Sequence, residues 1–176
     1  MKRNFRNVLC LILTLIFTTQ FFCLPAKAEG ENKYDKGIVV EAKSALLMEP
    51  STGKIIYEKN SHERFAPASV TKIMTMLLAM EAIDSGKIKL QDKITVSENS
   101  KKMGGSSMIL ETGEIRTVEE ILKGIAIASG NDAAVAMAEY LGGSESAFVN
   151  MMNERAKSLN MKDTAFKNCT DRKSVV

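Results

Sequence analysis

The sequence predicts an α/β domain of the α+β kind, in which a β-hairpin is followed by several packed helices. Three observations carry that expectation. Two short apolar runs, 45–48 and 55–57, flank a turn cluster of Pro50, Ser51, Thr52 and Gly53. The apolar period then changes, with Val70, Ile73, Met74 and Leu77 at i, i+3, i+4 and i+7. Further on, Thr117 and Glu120 form a Thr-x-x-Glu capping box ahead of Val118, Ile121, Leu122 and Ile125.

Residues 1–28 stand apart from the fold. Lys2, Arg3 and Arg6 precede an apolar run from Val8 to Phe17, and Pro25 leads into Ala26-Lys27-Ala28. This is the pattern of a secretory signal peptide cut after Ala28, which places the protein outside the cytoplasm, in the cell envelope or secreted. The apolar run is short for a membrane span, which needs about 20 residues. The segment holds four of the 24 basic residues and none of the 21 acidic ones, so the remainder has 20 basic against 21 acidic residues, a net charge of −1. Nothing in that balance points to a nucleic-acid partner. Cys10 and Cys23 leave with the signal, and Cys169 alone cannot form an intrachain disulfide. His62 is the single histidine and has no clustered ligands, which argues against a metal site, a metal cofactor or a Ser-His-Asp triad.

Residues 29–37 are polar and read as a flexible lead-in. After the hairpin comes a helix entered at Pro67 and left at Gly86, with Val70, Ile73, Met74 and Leu77 as its buried stripe. Lys93-Ile94-Thr95-Val96 reads as a short strand and "MGGSSM" as a loop. The capped helix after Thr117 breaks at Ser129, Gly130 and Asn131, a further helix covers 132–141, and Ser144 caps a last one reaching Leu159.

The candidate chemistry lies at Ser69 and Lys72, a Ser-x-x-Lys pair at the start of the first helix, where residues three apart share a face. Free N–H groups of a first turn and the positive helix end suit an oxyanion there. Burial disfavours an ammonium and brings lysine towards the neutral form that a base requires. The same residues also fit a helix-start serine with a solvated neighbour. A second copy, Ser51 to Lys54, sits in the hairpin turn, where nothing fixes the two side chains. Ser-x-Asn occurs at Ser97, Ser129 and Ser158; only Ser129-Gly130-Asn131 lies between two apolar helices, where a polar turn must satisfy itself or line a cleft. Ser129 and Asn131 are therefore the candidates to face Ser69, with a plain capping turn as the alternative.

In order and spacing, "PASVTKIMT", "GGSSMIL", "TVEEILKGIAIASGNDAAVAMAEYLGG" and "FVNMMNERAKSLNMKDTAFKN" resemble the serine D-alanyl-D-alanine carboxypeptidases, the low-mass penicillin-binding proteins. The resemblance runs over residues 39–170. It implies a β-lactamase/transpeptidase-like fold, with 38–170 as a partial domain made of the hairpin and the helical subdomain. It also implies removal of the terminal D-alanine from peptidoglycan stem peptides ending in D-Ala-D-Ala, through an acyl-enzyme on Ser69. Lys72 would accept the serine proton, Ser129 would pass a proton to the departing D-alanine, and Asn131 would hold the substrate amide. β-Lactam antibiotics would acylate Ser69 as substrate mimics, and no cofactor is implied. A class A-like β-lactamase ranks second, because this chain has Ser-Gly-Asn and lacks a Glu-x-x-Leu-Asn segment. A non-catalytic β-lactam-sensing or wall-binding module is the other alternative.

The chain departs from the family in lacking Lys-Thr-Gly, the motif that in relatives binds the substrate carboxylate and supplies a second oxyanion donor. The later sheet strands would be missing with it, so this stretch alone is expected to be poorly active or inactive. Residues 171–176, "DRKSVV", resemble nothing in the family and match one reading frame of a sequencing adapter. They are expected to be non-native.

Overall fold

The computed structural model describes residues 39–170, so the expectations for the signal peptide, for the whole 29–37 lead-in and for the 171–176 tail lie outside the described residues. The chain divides into two units, one ending at Ser61 and one beginning at His62.

The first unit holds the hairpin. Strand β1 (Ala45–Met48) pairs antiparallel with β2 (Ile55–Lys59), from Ala45 opposite Lys59 to Met48 opposite Ile55, with a bulge between Leu47 and Met48. The turn is built around one carboxylate. Glu49 accepts from the backbone and hydroxyl of Ser51 at 3.0 and 2.7 Å and from those of Thr52 at 2.7 and 2.5 Å. Gly53 supplies the left-handed residue, φ +70°, that lets its N–H return to Glu49 O at 2.9 Å. Leu46, Leu47, Met48 and Ile55 remain largely exposed.

The second unit begins with a 3₁₀ turn, Ala68–Thr71, which runs into α1 (Lys72–Asp84). Helix α1 ends as expected, with Gly86 at φ +73° just past its last turn. Its buried face is a correction to the sequence reading. Val70 and Ile73 are each 61% exposed, while Thr71, Lys72, Thr75, Ala79 and Ala82 face inward beside Met74. Met76, Leu77, Leu78, Met80 and Ile83 leave this helix apolar on most sides, so apolar spacing alone could not select the packed face. On the outer side, Val70, Ile73, Leu77, Leu159 and Phe166 border an open apolar groove of about 240 Å³.

Strand β3 (Lys93–Thr95) alternates as expected, with Ile94 buried between exposed neighbours, and it pairs antiparallel with β4 (Ile115–Thr117). β4 was not legible in advance, because its three residues merge with the capping box that follows. Ser97 caps the short α2 (Glu98–Lys101) through a bond from Ser100 N at 2.9 Å. The Thr117–Glu120 capping box is present on α3 (Val118–Ala128), and Ser144 caps α5 (Glu145–Ser158). Between them lies α4 (Asn131–Gly142), in which every residue from Asn131 to Ala138 is buried. A helix apolar all round belongs in a core, and α4 packs against α1, α2, α3, α5 and β3. Phe148, Ile121, Val118, Met152 and Ile94 complete the packing around it. Each such side chain contributes on the order of 1.5–3 kcal/mol through burial. Among the described residues no helix is long and apolar enough to cross a membrane.

Candidate active site

Ser69 and Lys72 meet at the junction of the 3₁₀ turn and α1. Lys72 Nζ lies 3.3 Å from Ser69 Oγ. Ser69 is exposed, whereas Lys72 is 2% exposed, which excludes a solvated lysine on a helix face. The preceding residue, Ala68, has φ +49°. An alanine in the left-handed region is strained, and such strain persists where surrounding structure over-determines it, often at functional sites. Just after it, Ser69 lies exposed and Lys72 buried, with their side chains within hydrogen-bond reach. The second Ser-x-x-Lys copy differs, for Ser51 gives its hydroxyl to Glu49.

Ser129 and Asn131 flank Gly130 on the turn between α3 and α4. Helix α3 is stopped by Ser129 itself, at φ +53°, and not by the glycine. The Ser129 and Gly130 N–H groups both donate to Gly124 O. Gly130, at the N-cap of α4 with φ −61°, is needed for space and not for its backbone freedom. A Cβ there would sit 2.9 Å from Asp132 Oδ1 and 3.2 Å from Met108 N.

Asn131 is 3% exposed and held on its loop side. Its Nδ2 donates to Gly104 O and its backbone N–H to Ser106 O, each at 2.7 Å. Its Oδ1 is buried and meets no hydrogen-bond partner. A buried acceptor left unpaired is costly and calls for a physical reason, such as a ligand it awaits. Thr71 Oγ1, one residue before Lys72, is in the same condition.

The wall against this turn is the 104–110 loop, whose role the sequence reading missed. Asp132, 1% exposed, gathers Ser107 Oγ at 2.7 Å, Met108 N at 2.9 Å, Leu110 N at 3.1 Å and Ala133 N at 2.8 Å. Burial raises its carboxyl, but these bonds outweigh burial and hold it below its ordinary value. The signal available was an aspartate directly after Ser-Gly-Asn and a paired serine in "GGSSM". Cys169 is fully buried; desolvation first, then Glu145 at 3.6 Å from its sulfur, push its thiol far up, leaving it a neutral packing group. Its carbonyl takes the Thr75 hydroxyl at 2.9 Å and so ties 169 to α1.

A family profile described as D-alanyl-D-alanine carboxypeptidase matches residues 30–173. The chain belongs to the D-alanyl-D-alanine carboxypeptidase family. It is 56% identical over 170 residues to D-alanyl-D-alanine carboxypeptidase DacF of Bacillus subtilis (strain 168), covering 97% of this chain and 42% of that protein. The fold superposes on the crystal structure of D-alanyl-D-alanine carboxypeptidase DacD from Francisella tularensis with a TM-score of 0.76 and 37% identity, covering 79% of this chain and 34% of that one. Penicillin binding protein 6B from Escherichia coli gives a TM-score of 0.75 and 35% identity, covering 81% and 48%. The chain thus spans less than half the length of each of these carboxypeptidase-family relatives, and its mixed helices and small sheets are those of the transpeptidase-like fold.

Proposed function

We propose that this chain carries the nucleophilic centre of a serine D-alanyl-D-alanine carboxypeptidase that trims peptidoglycan stem peptides at the cell envelope. The observation that carries the reading is the Ser69–Lys72 pair, an exposed hydroxyl 3.3 Å from the nitrogen of a buried lysine. Ser69 Oγ attacks the carbonyl of the penultimate D-alanine while the neutral Lys72 amine accepts its proton. Ser129 passes a proton to the nitrogen of the departing D-alanine as the C–N bond breaks. Water then attacks the ester on Ser69 and releases the shortened peptide. Asn131 holds the substrate amide, and its unpaired Oδ1 is the acceptor for that amide's N–H. β-Lactams present the same reactive carbonyl to Ser69, in keeping with the names of the penicillin-binding relatives.

The family membership and the carboxypeptidase relatives favour this reading over a class A-like β-lactamase. The export signal at residues 1–28 belongs to the same proposal, since the substrate lies outside the cytoplasm. The test is incubation of the folded chain with a fluorescent penicillin, followed by mass spectrometry of its peptides. An adduct on Ser69 that disappears in Ser69→Ala is the expected result, with D-alanine release from a D-Ala-D-Ala peptide slow because the Lys-Thr-Gly segment is absent from this stretch. A folded chain that takes no adduct at Ser69 overturns it, and an adduct without D-alanine release favours a sensor.

A further inference from the structure

We propose that Asp132 is a positioning residue for this site: its carboxylate clamps the 104–110 loop onto the turn carrying Ser129 and Asn131, and thereby fixes Asn131. Its catalytic consequence rests on the functional reading above; its geometry does not. Three of the four donors on Asp132 come from one loop, Ser107 Oγ, Met108 N and Leu110 N, and the fourth is Ala133 N in the helix that Asp132 opens. These donors are neutral, and the positive end of α4 adds a favourable field.

The clamped loop hands two carbonyls to the neighbouring residue. Gly104 O takes Asn131 Nδ2 and Ser106 O takes Asn131 N, both at 2.7 Å. Asn131 is therefore gripped by its own helix on one side and, on the other, by a loop that Asp132 holds in place. Ser100, in α2, adds to the grip by donating its hydroxyl to the Asp132 carbonyl at 2.8 Å.

Backbone strain in the loop supplies a second, independent observation. Ile109 has φ +62°, a conformation that a β-branched residue adopts only under constraint. Its side chain is 83% exposed, so packing does not impose that conformation. The residues on either side do, because the Met108 and Leu110 amides both end on Asp132, while the Ile109 amide donates to Ser107 Oγ at 2.8 Å. Release of the carboxylate frees Ile109 to relax, and the carbonyls of Gly104 and Ser106 move with the loop.

The test uses Asp132→Asn, which keeps the side-chain size but turns one acceptor into a donor facing the Leu110 N–H. Hydrogen exchange in the folded chain is expected to speed up at Met108 and Leu110 and also at the Asn131 amide, on the order of tenfold or more, as for a lost buried hydrogen bond. Ser69 acylation by penicillin is expected to fall on the order of 100-fold, the scale of a misplaced site group. In an Asn131→Ala background the same substitution is expected to add little, because Asp132 acts through Asn131. An equal fold loss in both backgrounds, or Asn131 exchange unchanged while Met108 and Leu110 speed up, overturns the proposal. If Asp132→Asn does not fold, Ser107→Ala removes a single donor and is judged by the same pattern at smaller size. If the parent chain takes no penicilloyl adduct, the functional reading fails on its own, and exchange at Asn131 still decides the positioning role.

Discussion

Lys72 Nζ and Ser69 Oγ stand 3.3 Å apart, with the lysine buried and the serine open to solvent. That asymmetry suits proton transfer followed by attack on an incoming carbonyl. In the proposed reaction Lys72 is the base, shielded from water, and Ser69 is the nucleophile, open to an incoming substrate.

Replacement of the amine should separate chemistry from folding. Lys72→Met keeps an unbranched apolar stem of similar length, so the variant is expected to fold, and its stability is read separately from its chemistry. Ser69 acylation is expected to fall by about 10²–10⁴-fold, the usual contribution of a positioned general base. Stopped-flow labelling with a fluorescent penicillin, set beside urea denaturation, reads both quantities. Undiminished labelling would remove Lys72 from the mechanism.

Glu49 offers a pH readout confined to the hairpin. Bonds from the Thr52 and Ser51 hydroxyls, and then from their amides, lower its carboxyl from 4.5 to about 2. A depressed folded value means that the turn is supported fully above pH 4.5, and that support is lost as pH falls towards 2. An NMR titration should show the Ser51 and Thr52 amide shifts moving with a midpoint near the lower value. Movement centred near 4.5 would show that the four bonds do not persist in solution.

The hairpin, the α3 capping box and the Ser144 cap were legible because each depends on residues close in sequence whose chemistry acts locally. Gly86, in left-handed backbone after α1, was legible for the same reason. The packed face of α1 was not. Val70 and Ile73 look like core from their spacing, but which side of an all-round apolar helix is covered depends on α4, whose first residue lies 59 positions after Lys72. Ser69, Lys72, Ser129 and Asn131 stood out as residue types in a helical context. Asp132 did not, since its partners are 22–25 residues away in a loop whose path the sequence does not disclose.

The capping box on α3 is a local device with a measurable cost of removal. Thr117 Oγ1 accepts from Glu120 N at 3.2 Å, and Glu120 Oε2 accepts from Thr117 N at 2.8 Å. Thr117→Ala removes the first of these and leaves a first-turn donor unpaired, which typically costs about 1 kcal/mol. Urea denaturation of the variant should show a lower midpoint with an unchanged slope. An unchanged midpoint would mean that the first turn is held by β4 and not by its cap.

Two glycines beside Met108 make opposite demands and so test whether the loop contact is rigid. At Gly124, inside α3, an added Cβ would run into Met108 Sδ and sit 3.3 Å from its Cγ, atoms near the end of a flexible side chain that can swing aside. Alanine there also gains about 1 kcal/mol of helix propensity over glycine, which offsets the displacement. At Gly130 the neighbours are Asp132 Oδ1 at 2.9 Å and Met108 N at 3.2 Å, which are hydrogen-bonded to each other and cannot yield without breaking the clamp. Gly124→Ala is therefore expected to be nearly neutral in stability and in Ser69 labelling. Gly130→Ala should lose about 1–3 kcal/mol, as overpacking does, and label more slowly. Parallel denaturation and labelling of the two variants decide the matter, and a Gly130→Ala chain indistinguishable from the parent would show that the loop gives way freely.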